Sequence, residues 1–460
     1  MNEISRVDVP RLQHFSVERL FDEFDYKIPL KLVGRITALI APNGSGKTAC
    51  LRLIDALFRR QWSVFRTTNF RTATYKFSNG YVIRIAKGAE LDVEEDAPSA
   101  VSETRVFIHL PSDVFGDAEP IVWQPPASKS LHQVAIQASR YVPFVSQLAG
   151  NRWVHDQTGQ TYTATELVES FAAMFPPHLM LGLRKDEPPQ FASLIDAIDC
   201  HLIETQRLLI LGTDDRAPYR GGRRETSTLA IAQKASTLRE IISRTLVEYG
   251  TLSQSLDRSL PKRVIEQTGF ITPAEIKTRL SALDELRKQL IEAGILSAEG
   301  SDSVGLPAGD ITHQIASVLS VYAEDTKRKL ESLSPLLRKV RLFKDLIEER
   351  FVRKQIHVDP QVGFRVTIHG NNVPIDKLSS GEQHQLVLYF ELLFQLKSNA
   401  LILIDEPELS LHVAWQRKFI PDLIRIIELN KFDVVLATHS PQLISHWEDL
   451  VVELGEVDDQ

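Results

Sequence analysis

The sequence predicts an α/β fold whose two halves are separated along the chain by a long helical segment. Residues 35–40 alternate like a strand, run into a glycine-containing turn and continue into apolar residues at helical spacing. A second apolar run, 401–404, ends in an acidic pair, as a buried parallel strand does at its carboxyl end. Between them, residues 216–355 are dominated by helical periodicity. The predicted domains are therefore 1–215, 216–355 and 356–460.

Composition limits the classes of protein to be considered. With 460 residues, 43% of them hydrophobic, the chain can bury a large core. A net charge of -7 provides no global positive field, so nucleic acid is expected only as a local contact. Two cysteines suit a reducing compartment, and neither a signal peptide nor an apolar stretch of membrane-spanning length is present. We expect a cytoplasmic protein with no membrane partner.

The N-terminal half reads as strands, with one strong hairpin signal. Asn79 and Gly80 lie between two alternating runs within 75–85, and both residue types tolerate the positive φ of a tight turn. Residues 111–189 show no clear period and are assigned only as an insertion, with a helix near 164–174.

The middle segment predicts three long helices, near 226–260, 273–296 and 310–353, separated by proline and glycine. The middle one has a single apolar stripe of the kind a helical hairpin or short coiled coil needs, formed by Ile276, Leu280, Leu283, Leu286 and Leu290. Lysine and arginine cluster at 327–329 and 338–341. Because acidic residues are interleaved, a solvated helix face is favoured over a nucleic-acid patch.

The strongest chemical signal is a P-loop with alanine at its first position. Its residues are Ala41, Pro42, Asn43, Gly44, Ser45, Gly46, Lys47 and Thr48. Glycines let backbone amides wrap phosphates, the lysine reaches the β- and γ-phosphates, and the threonine hydroxyl coordinates Mg²⁺. The helix that follows directs its positive end at the same anions. We predict that ATP and Mg²⁺ bind here.

The acidic pair that follows strand 401–404 supplies the hydrolytic groups. Asp405 is predicted to hold Mg²⁺, and Glu406 to polarise the attacking water as general base. An ordinary strand followed by a charged turn is the alternative, which the P-loop disfavours.

A second phosphate receptor is predicted at the start of a helix, from Ser379, Ser380, Gly381 and Glu382. Small residues at a helix N-terminus leave amides that point outward. One subunit needs only one cradle for each γ-phosphate, so the second is expected to serve the nucleotide of another copy. The alternative is an ordinary N-cap with a capping-box acid.

Two further residues complete the predicted site. His439 follows the apolar strand 434–437 and is predicted to sense the γ-phosphate and orient the water with Glu406. Gln206, before the helical segment, is predicted to contact Mg²⁺ and water, with plain strand termination as the alternative. Residues 409–412 lie where a dimer-contact loop belongs.

The order of these motifs resembles ABC ATPases. The resemblance implies an ABC-type P-loop NTPase head with a mixed sheet, split by a helical-hairpin or short coiled-coil insertion as in the SMC branch. The acidic segment 405–412 and residues 437–442 are similar to OLD-like bacterial ATPases of antiphage defence. The arm is shorter than in SMC proteins and lacks the Cys-x-x-Cys of their repair relatives.

The resemblance also implies partners. OLD nucleases carry a Toprim nuclease domain after the head. Because the last predicted strand lies only a few residues before Gln460, we expect no such domain in this chain. The resemblance therefore implies a PARIS-type ATPase with a separate Toprim-like nuclease effector, or a Septu-type ATPase with an HNH nuclease. Such a protein would form an ATP-sandwiched homodimer or higher oligomer, hydrolyse ATP slowly, and release the nuclease when a phage trigger protein is sensed. The alternative is an SMC-like ATPase of DNA repair or chromosome organisation.

Overall fold

The computed structural model describes most of the chain, in two compact units. The described residues are 9–87, 104–112, 116, 118–125, 131–142, 145–148, 152–156, 161–171, 174–175, 179, 184, 186–204, 223–266, 272–297, 312–374 and 377–455. One unit contains Met1–Arg207, Lys397–Ile420 and Asn430–Gln460, and the other contains Leu208–Leu396 and Pro421–Leu429. The domain limits given above were drawn from composition and stay a prediction.

The first unit begins with an antiparallel sheet of six strands in the order β2-β1-β4-β5-β6-β7. These strands are β1 (Leu12–Leu20), β2 (Phe24–Pro29), β4 (Thr72–Phe77), β5 (Val82–Lys87), β6 (Thr104–His109) and β7 (Ile121–Trp123). The predicted hairpin is confirmed, since β4 pairs with β5 across a turn in which Gly80 has φ of 84°. Short connections favour antiparallel neighbours, as in the pairs β1–β2 and β4–β5, whereas β1 and β4 pair although they are distant in the sequence.

A separate sheet of five parallel strands, ordered β11-β15-β16-β3-β17, forms the centre of the same unit. Its strands are β3 (Ile36–Ile40), β11 (Cys200–Glu204), β15 (Leu401–Asp405), β16 (Asp433–Thr438) and β17 (Val451–Glu453). The prediction of a mixed sheet is therefore wrong for these strands, because every strand pair of the first sheet is antiparallel and every pair of the second is parallel. Parallel neighbours need long crossovers, and the strands here come from distant parts of the chain.

The helix α1 (Lys47–Arg59) joins the two sheets through one apolar core. Its buried residues Leu51, Ile54 and Leu57 belong to the same cluster as side chains of both sheets, such as Phe15 and Leu403. Helix α2 (Trp62–Thr67) follows directly. The core thus fixes α1 at the carboxyl edge of β3, where the P-loop lies.

The predicted insertion forms a small cluster of its own around the buried Trp153. It contains α3 (Leu131–Ala138), β8 (Val145–Leu148), β9 (Arg152–His155), β10 (Thr161–Thr163) and α4 (Ala164–Ser170), with α5 (Pro189–Asp196) after it. The helix predicted near 164–174 is confirmed in its first part. It begins at a capping box formed by Thr163 and Glu166.

The second unit is mainly helical. It contains α6 (Arg223–Glu266), α7 (Pro273–Glu292), α8 (His313–Glu331), α9 (Ser334–Glu348), β12 (Lys354–Asp359), β13 (Gly363–Ile368), β14 (Asn371–Val373) and α10 (Ser380–Phe390), which continues as a π-helical turn, Glu391–Gln395. The third predicted helix is two helices, because the chain breaks at Leu333 before Pro335 in the first turn of α9.

The remaining helices are α11 (Val413–Asn430) and α12 (Pro441–Ile444). In the part of the chain that the structure describes, no helix is both long and apolar enough to span a bilayer.

Candidate nucleotide-binding site

The predicted motifs meet at the carboxyl edge of the parallel sheet. Thr438 of β16 pairs with Ile40 of β3, and Ala437 pairs with Asp405 of β15. Because parallel strands end at the same edge, the P-loop after β3, the acidic pair after β15 and His439 after β16 are neighbours. β16 lies between the other two strands, so His439 is positioned centrally.

The P-loop adopts a conformation that needs its glycines. Gly44 and Gly46 both have φ of 86°, a region that side chains with a Cβ rarely adopt. A Cβ on Gly46 would also lie 2.9 Å from Leu20 Cδ2, whereas a Cβ on Gly44 would meet no atom within 4 Å. The loop is therefore packed behind Gly46 and open at Gly44, which leaves space for a ligand to approach the backbone.

Hydrogen bonds hold the loop from within. Lys47 Nζ donates to the carbonyl oxygens of Ala41 at 2.8 Å and Pro42 at 2.9 Å. The hydroxyl of Tyr26, on β2, donates to the carbonyl of Ser45 at 2.7 Å, and burial raises the pKa of Tyr26 to about 12. The lysine and the tyrosine thus fix the loop from two sides.

A cavity of about 740 Å³ opens in front of the loop. Its lining includes Asn43, Gly44, Lys47, Thr48, Glu406 and His439, with Phe21, Gly46, Ala49, Arg52, Thr67, Thr68 and Leu409 around them. Ser45 Oγ is buried and has no hydrogen-bond partner among the described residues. A phosphate group would meet open amides, a lysine and the positive end of α1 here, so the residues fit a nucleotide.

The residues predicted to hold Mg²⁺ are in contact. Thr48 Oγ1 donates to Asp405 Oδ2 at 2.8 Å and lies 3.1 Å from Oδ1. Mg²⁺ typically takes one or two protein oxygens, with water and phosphate completing an octahedron. No group of three or more His, Cys, Asp or Glu side chains in the described residues forms a metal centre. The pair Thr48 and Asp405 suits an ion shared with phosphates.

Glu406, the predicted general base, lies at the cavity in an unusual backbone conformation. It has φ of 47°, unusual for a residue with a Cβ, and Pro407 after it disfavours the right-handed helical region. Its backbone amide donates to the carbonyl of Ala437 at 2.9 Å, which holds the strained turn in place. Its side chain is 30% exposed and lines the cavity, so Glu406 can reach a water there.

His439 is held by a carboxylate that the sequence analysis did not single out. Its Nδ1 lies 3.1 Å from Glu408 Oε1 and 3.8 Å from Glu406 Oε1. Glu408 is buried, with 4% of its side chain exposed, and lies outside the lining of the cavity. A signal for it exists in the sequence, since an acidic residue follows the proline of the acidic segment.

The predicted second cradle lies in the other compact unit, at the start of α10. Ser379 and Glu382 form a capping box: the Glu382 amide donates to Ser379 Oγ, and the Ser379 amide donates to Glu382 Oε2 at 2.9 Å. Lys354 Nζ donates to Glu382 Oε1 at 2.6 Å. Burial would raise the pKa of Glu382, but the Lys354 and Ser379 hydrogen bonds outweigh it and lower the pKa. The carboxylate of Glu382 is thus used within its own unit.

Ser379 and Ser380 are exposed, and Gly381 is partly exposed. Gln206 lies outside the described residues. Tyr26 and Lys354 carried no local signal, because their contacts join elements that are distant in the sequence.

One family model matches part of the chain. Residues 250–445 match the family described as an AAA domain, putative AbiEii toxin, Type IV TA system. The matched part is less than half of the chain and contains Ser379, Asp405, Glu406 and His439. The chain is of mixed α/β class, and its P-loop, residues 41–48, lies outside the matched part.

The chain is also similar to solved Smc head domains. One, from Pyrococcus furiosus, has an extended coiled coil and is bound to the C-terminal domain of ScpA; it is 12% identical, with 95% of this chain and 91% of that chain covered and a TM-score of 0.32. Another, from Pyrococcus yayanosii, has a coiled coil and joint; it is 11% identical, with 95% and 93% covered and a TM-score of 0.30. No curated protein matches the chain.

Proposed function

We propose that this chain binds ATP with Mg²⁺ and hydrolyses it slowly, as a regulatory ATPase. The observation that supports this most is the convergence of Lys47, Thr48, Glu406 and His439 on one cavity, with Asp405 hydrogen-bonded to Thr48. These residues come from three strand ends, and together they provide the parts that phosphoryl transfer to water requires.

Each side chain has a distinct role in the proposed mechanism. Lys47 exchanges the carbonyls of Ala41 and Pro42 for the β- and γ-phosphates. Thr48 and Asp405 would hold Mg²⁺, which would neutralise charge on the phosphates. Glu406 accepts a proton from the attacking water, and His439 hydrogen-bonds the terminal phosphate.

The proposal includes a second copy of the chain. The open amides of Ser380 and Gly381 and the Ser380 hydroxyl of that copy would face the γ-phosphate, and Ser379 would do so on exchanging its contacts with Glu382. Their exposure at the start of α10 supports this role. In such an arrangement bound ATP stabilises the dimer of two heads, and hydrolysis allows the two heads to separate. Gln206 is proposed as an additional ligand of Mg²⁺ and water.

Two substitutions test the ATPase itself. Lys47→Ala should abolish binding of a fluorescent ATP analogue, because the phosphates lose their main cation. Glu406→Gln should keep binding, lower phosphate release by about a hundredfold or more, and trap the two-headed form in size-exclusion chromatography. Glu324→Gln, an exposed carboxylate on α8, is the matched control and should behave as the wild type. Normal turnover by Glu406→Gln would remove Glu406 from the mechanism.

For the biological role, we propose a sensor and scaffold subunit of an antiphage defence system that sequesters a separately encoded nuclease. The acidic segment 405–412 supports it by resemblance to OLD-like ATPases, and the matching family is described as a putative AbiEii toxin of a Type IV TA system. A Toprim-like nuclease is the preferred effector and an HNH nuclease the alternative. A phage protein would act as the trigger.

The 44-residue helix α6 favours a second candidate, an SMC-like ATPase that clamps DNA. Purification from the native host with and without ATP separates the two roles. A stoichiometric nuclease supports defence. Co-purified DNA, with ATP-dependent binding that weakens steeply with salt, supports the DNA clamp. Purification of the chain with neither a nuclease nor DNA would contradict both proposed roles.

A further inference from the structure

Glu408 is the most constrained carboxylate near the cavity, although it does not line it. It lies in the 3₁₀ turn Pro407–Ser410 that follows β15. Its side chain is 4% exposed, and Oε2 is buried without a hydrogen-bond partner among the described residues. Burial of a carboxylate is costly unless donors compensate it, so its contacts call for an explanation.

One oxygen of Glu408 takes all the recorded contacts, and they come from two consecutive residues. Thr438 Oγ1 donates to Oε1 at 2.8 Å, and the backbone amide of His439 donates to it at 2.9 Å. His439 Nδ1 lies 3.1 Å from the same oxygen. Glu408 therefore fixes both the backbone and the ring of His439.

The surrounding hydrogen bonds form a cyclic network that begins and ends at Glu408. The Ser440 amide donates to Thr438 Oγ1 at 3.0 Å, and Ser440 Oγ donates to Gln416 Oε1 at 2.8 Å. Gln416 Nε2 in turn lies 3.4 Å from the carbonyl of Glu408. This network connects the ends of β15 and β16 with α11. Rotation of the carboxylate away from His439 would break the two hydrogen bonds that Oε1 accepts from Thr438 and the His439 amide.

We propose that Glu408 is the positioning residue of His439, and that it determines which ring nitrogen His439 offers to the terminal phosphate. The inference rests on the proposed role of His439. Glu406 lies farther from Nδ1, at 3.8 Å, and lines the cavity, so it remains available to water. The two carboxylates of the acidic segment thus have separate tasks.

The chemistry follows from the properties of imidazole. A carboxylate is an acceptor only, so it keeps a proton on Nδ1. Nε2 is then the nitrogen available to a ligand. A phosphate oxygen at Nε2 is a second acceptor, and only the doubly protonated ring can donate to both acceptors at once. With Nδ1 held by Glu408, Nε2 is the nitrogen from which His439 donates a hydrogen bond to a bound phosphate.

A double-mutant cycle separates this role from simple structural support. Glu408→Gln should lower kcat by about tenfold or more with little change in KM, as loss of a residue that orients a histidine does. In a His439→Ala background the same substitution should cost less than about twofold, because its effect runs through the missing ring. Equal losses in both backgrounds would overturn the proposal.

The control for the cycle lies on β16, the strand that ends just before His439. Asp433 is buried at the start of β16, where Arg11 Nε donates to it at 2.7 Å, so it is at the opposite end from His439. Asp433→Asn should have the same fold-effect with and without His439. If it also lost its effect in the His439→Ala background, non-additivity would not be specific to Glu408, and the cycle would contradict the proposal.

A measurement on the wild type covers the case in which Glu408→Gln does not fold. In ¹⁵N-histidine NMR, the His439 signals, assigned by their loss in His439→Gln, should show a proton on Nδ1. A ring protonated on Nε2 alone would overturn the proposal. This test needs no turnover, so it is distinct from failure of the proposed function, which would appear as wild-type protein that neither binds nor hydrolyses ATP.

Discussion

Two helix N-termini in this chain are both predicted to receive phosphate, yet they are constructed in opposite ways. At α1, Gly46 occupies the N-cap, no side chain in the described part of the protein caps the helix, and its first turn has no acidic residue. At α10, Ser379 and Glu382 form a complete capping box, and Lys354 pairs with the glutamate. The first terminus is left open for an external anion, whereas the second already has an anion of its own.

This difference indicates how each terminus can work. An uncapped helix start preceded by two glycines can wrap a phosphate with several amides. A capped start has fewer amides to offer, and those of Ser380 and Gly381 lie outside the capping box. We infer that α1 provides most of the binding energy and α10 responds to a nucleotide that is already bound. The predictions below test that division, beginning with the largest effect.

Mixing two inactive variants should restore activity. Ser379→Arg and Lys47→Ala should each be inactive alone, the first by blocking the cradle at α10 and the second by loss of nucleotide. Random exchange between equal amounts would make half of the dimers mixed, each with one intact site of two, so about a quarter of wild-type phosphate release is expected. No recovery under conditions where subunits exchange would show that the site is not shared.

Ala49→Glu should weaken nucleotide binding, because it gives α1 an acid at the position that Glu382 has in α10. Ala49 lines the cavity and is the third residue of α1. A carboxylate at about 8 Å from a phosphate, at an effective dielectric of about 20, costs about 2 kcal/mol, or about thirtyfold in affinity. Titration of an ATP analogue measures it. Ala49→Gln is the isosteric control, and equal weakening by both substitutions would attribute the effect to size instead of charge.

Removing the acid from α10 should affect stability more than nucleotide binding. Glu382→Gln loses the charge that Lys354 and Ser379 contact, and caps of this kind contribute about 1 kcal/mol. Urea unfolding should show that loss, while the dissociation constant for an ATP analogue stays within about twofold. A large loss of affinity in an isolated chain would mean that Glu382 contacts nucleotide in its own subunit.

The same variant should reveal a pH dependence of stability. Because the hydrogen bonds of Glu382 lower its pKa in the folded protein, the stabilisation is present above the unfolded value of about 4.3. It is lost as the pH falls through the lower, folded pKa. The difference in unfolding free energy between wild type and Glu382→Gln should therefore be constant near neutral pH and shrink below about pH 4. A difference that grows in acid would contradict this sign.

The contrast between the termini also marks what the sequence could predict. Glycine, lysine and threonine at fixed spacing identify a P-loop because each residue type has a backbone or ligand role that few others can fill. The hairpin at Gly80 was predictable for the same reason, since its positive φ is a local property. The capping box at α10 could be read from Ser379 and Glu382, three residues apart.

Contacts between distant segments could not be predicted. Tyr26 reaches Ser45 only because β2 passes beside the P-loop, and Lys354 reaches Glu382 only because the fold brings the first residue of β12 to the start of α10. Glu408 and His439 are 31 residues apart and meet through the pairing of β15 with β16. The separation of the strands into two sheets depends likewise on pairing over hundreds of residues. Hydrophobic periodicity predicts where helices and strands lie in the sequence, but it does not predict which of them pack together.

The two carbonyl contacts of Lys47 have a consequence for the energetics of recognition. A flexible loop must lose conformational entropy when it closes on a ligand, and that loss is subtracted from the affinity. Here the ammonium group, bonded to Ala41 and Pro42, already holds the loop in shape. Nucleotide entry is then an exchange of partners for one cation instead of a disorder-to-order transition, so much of the ordering takes place during folding.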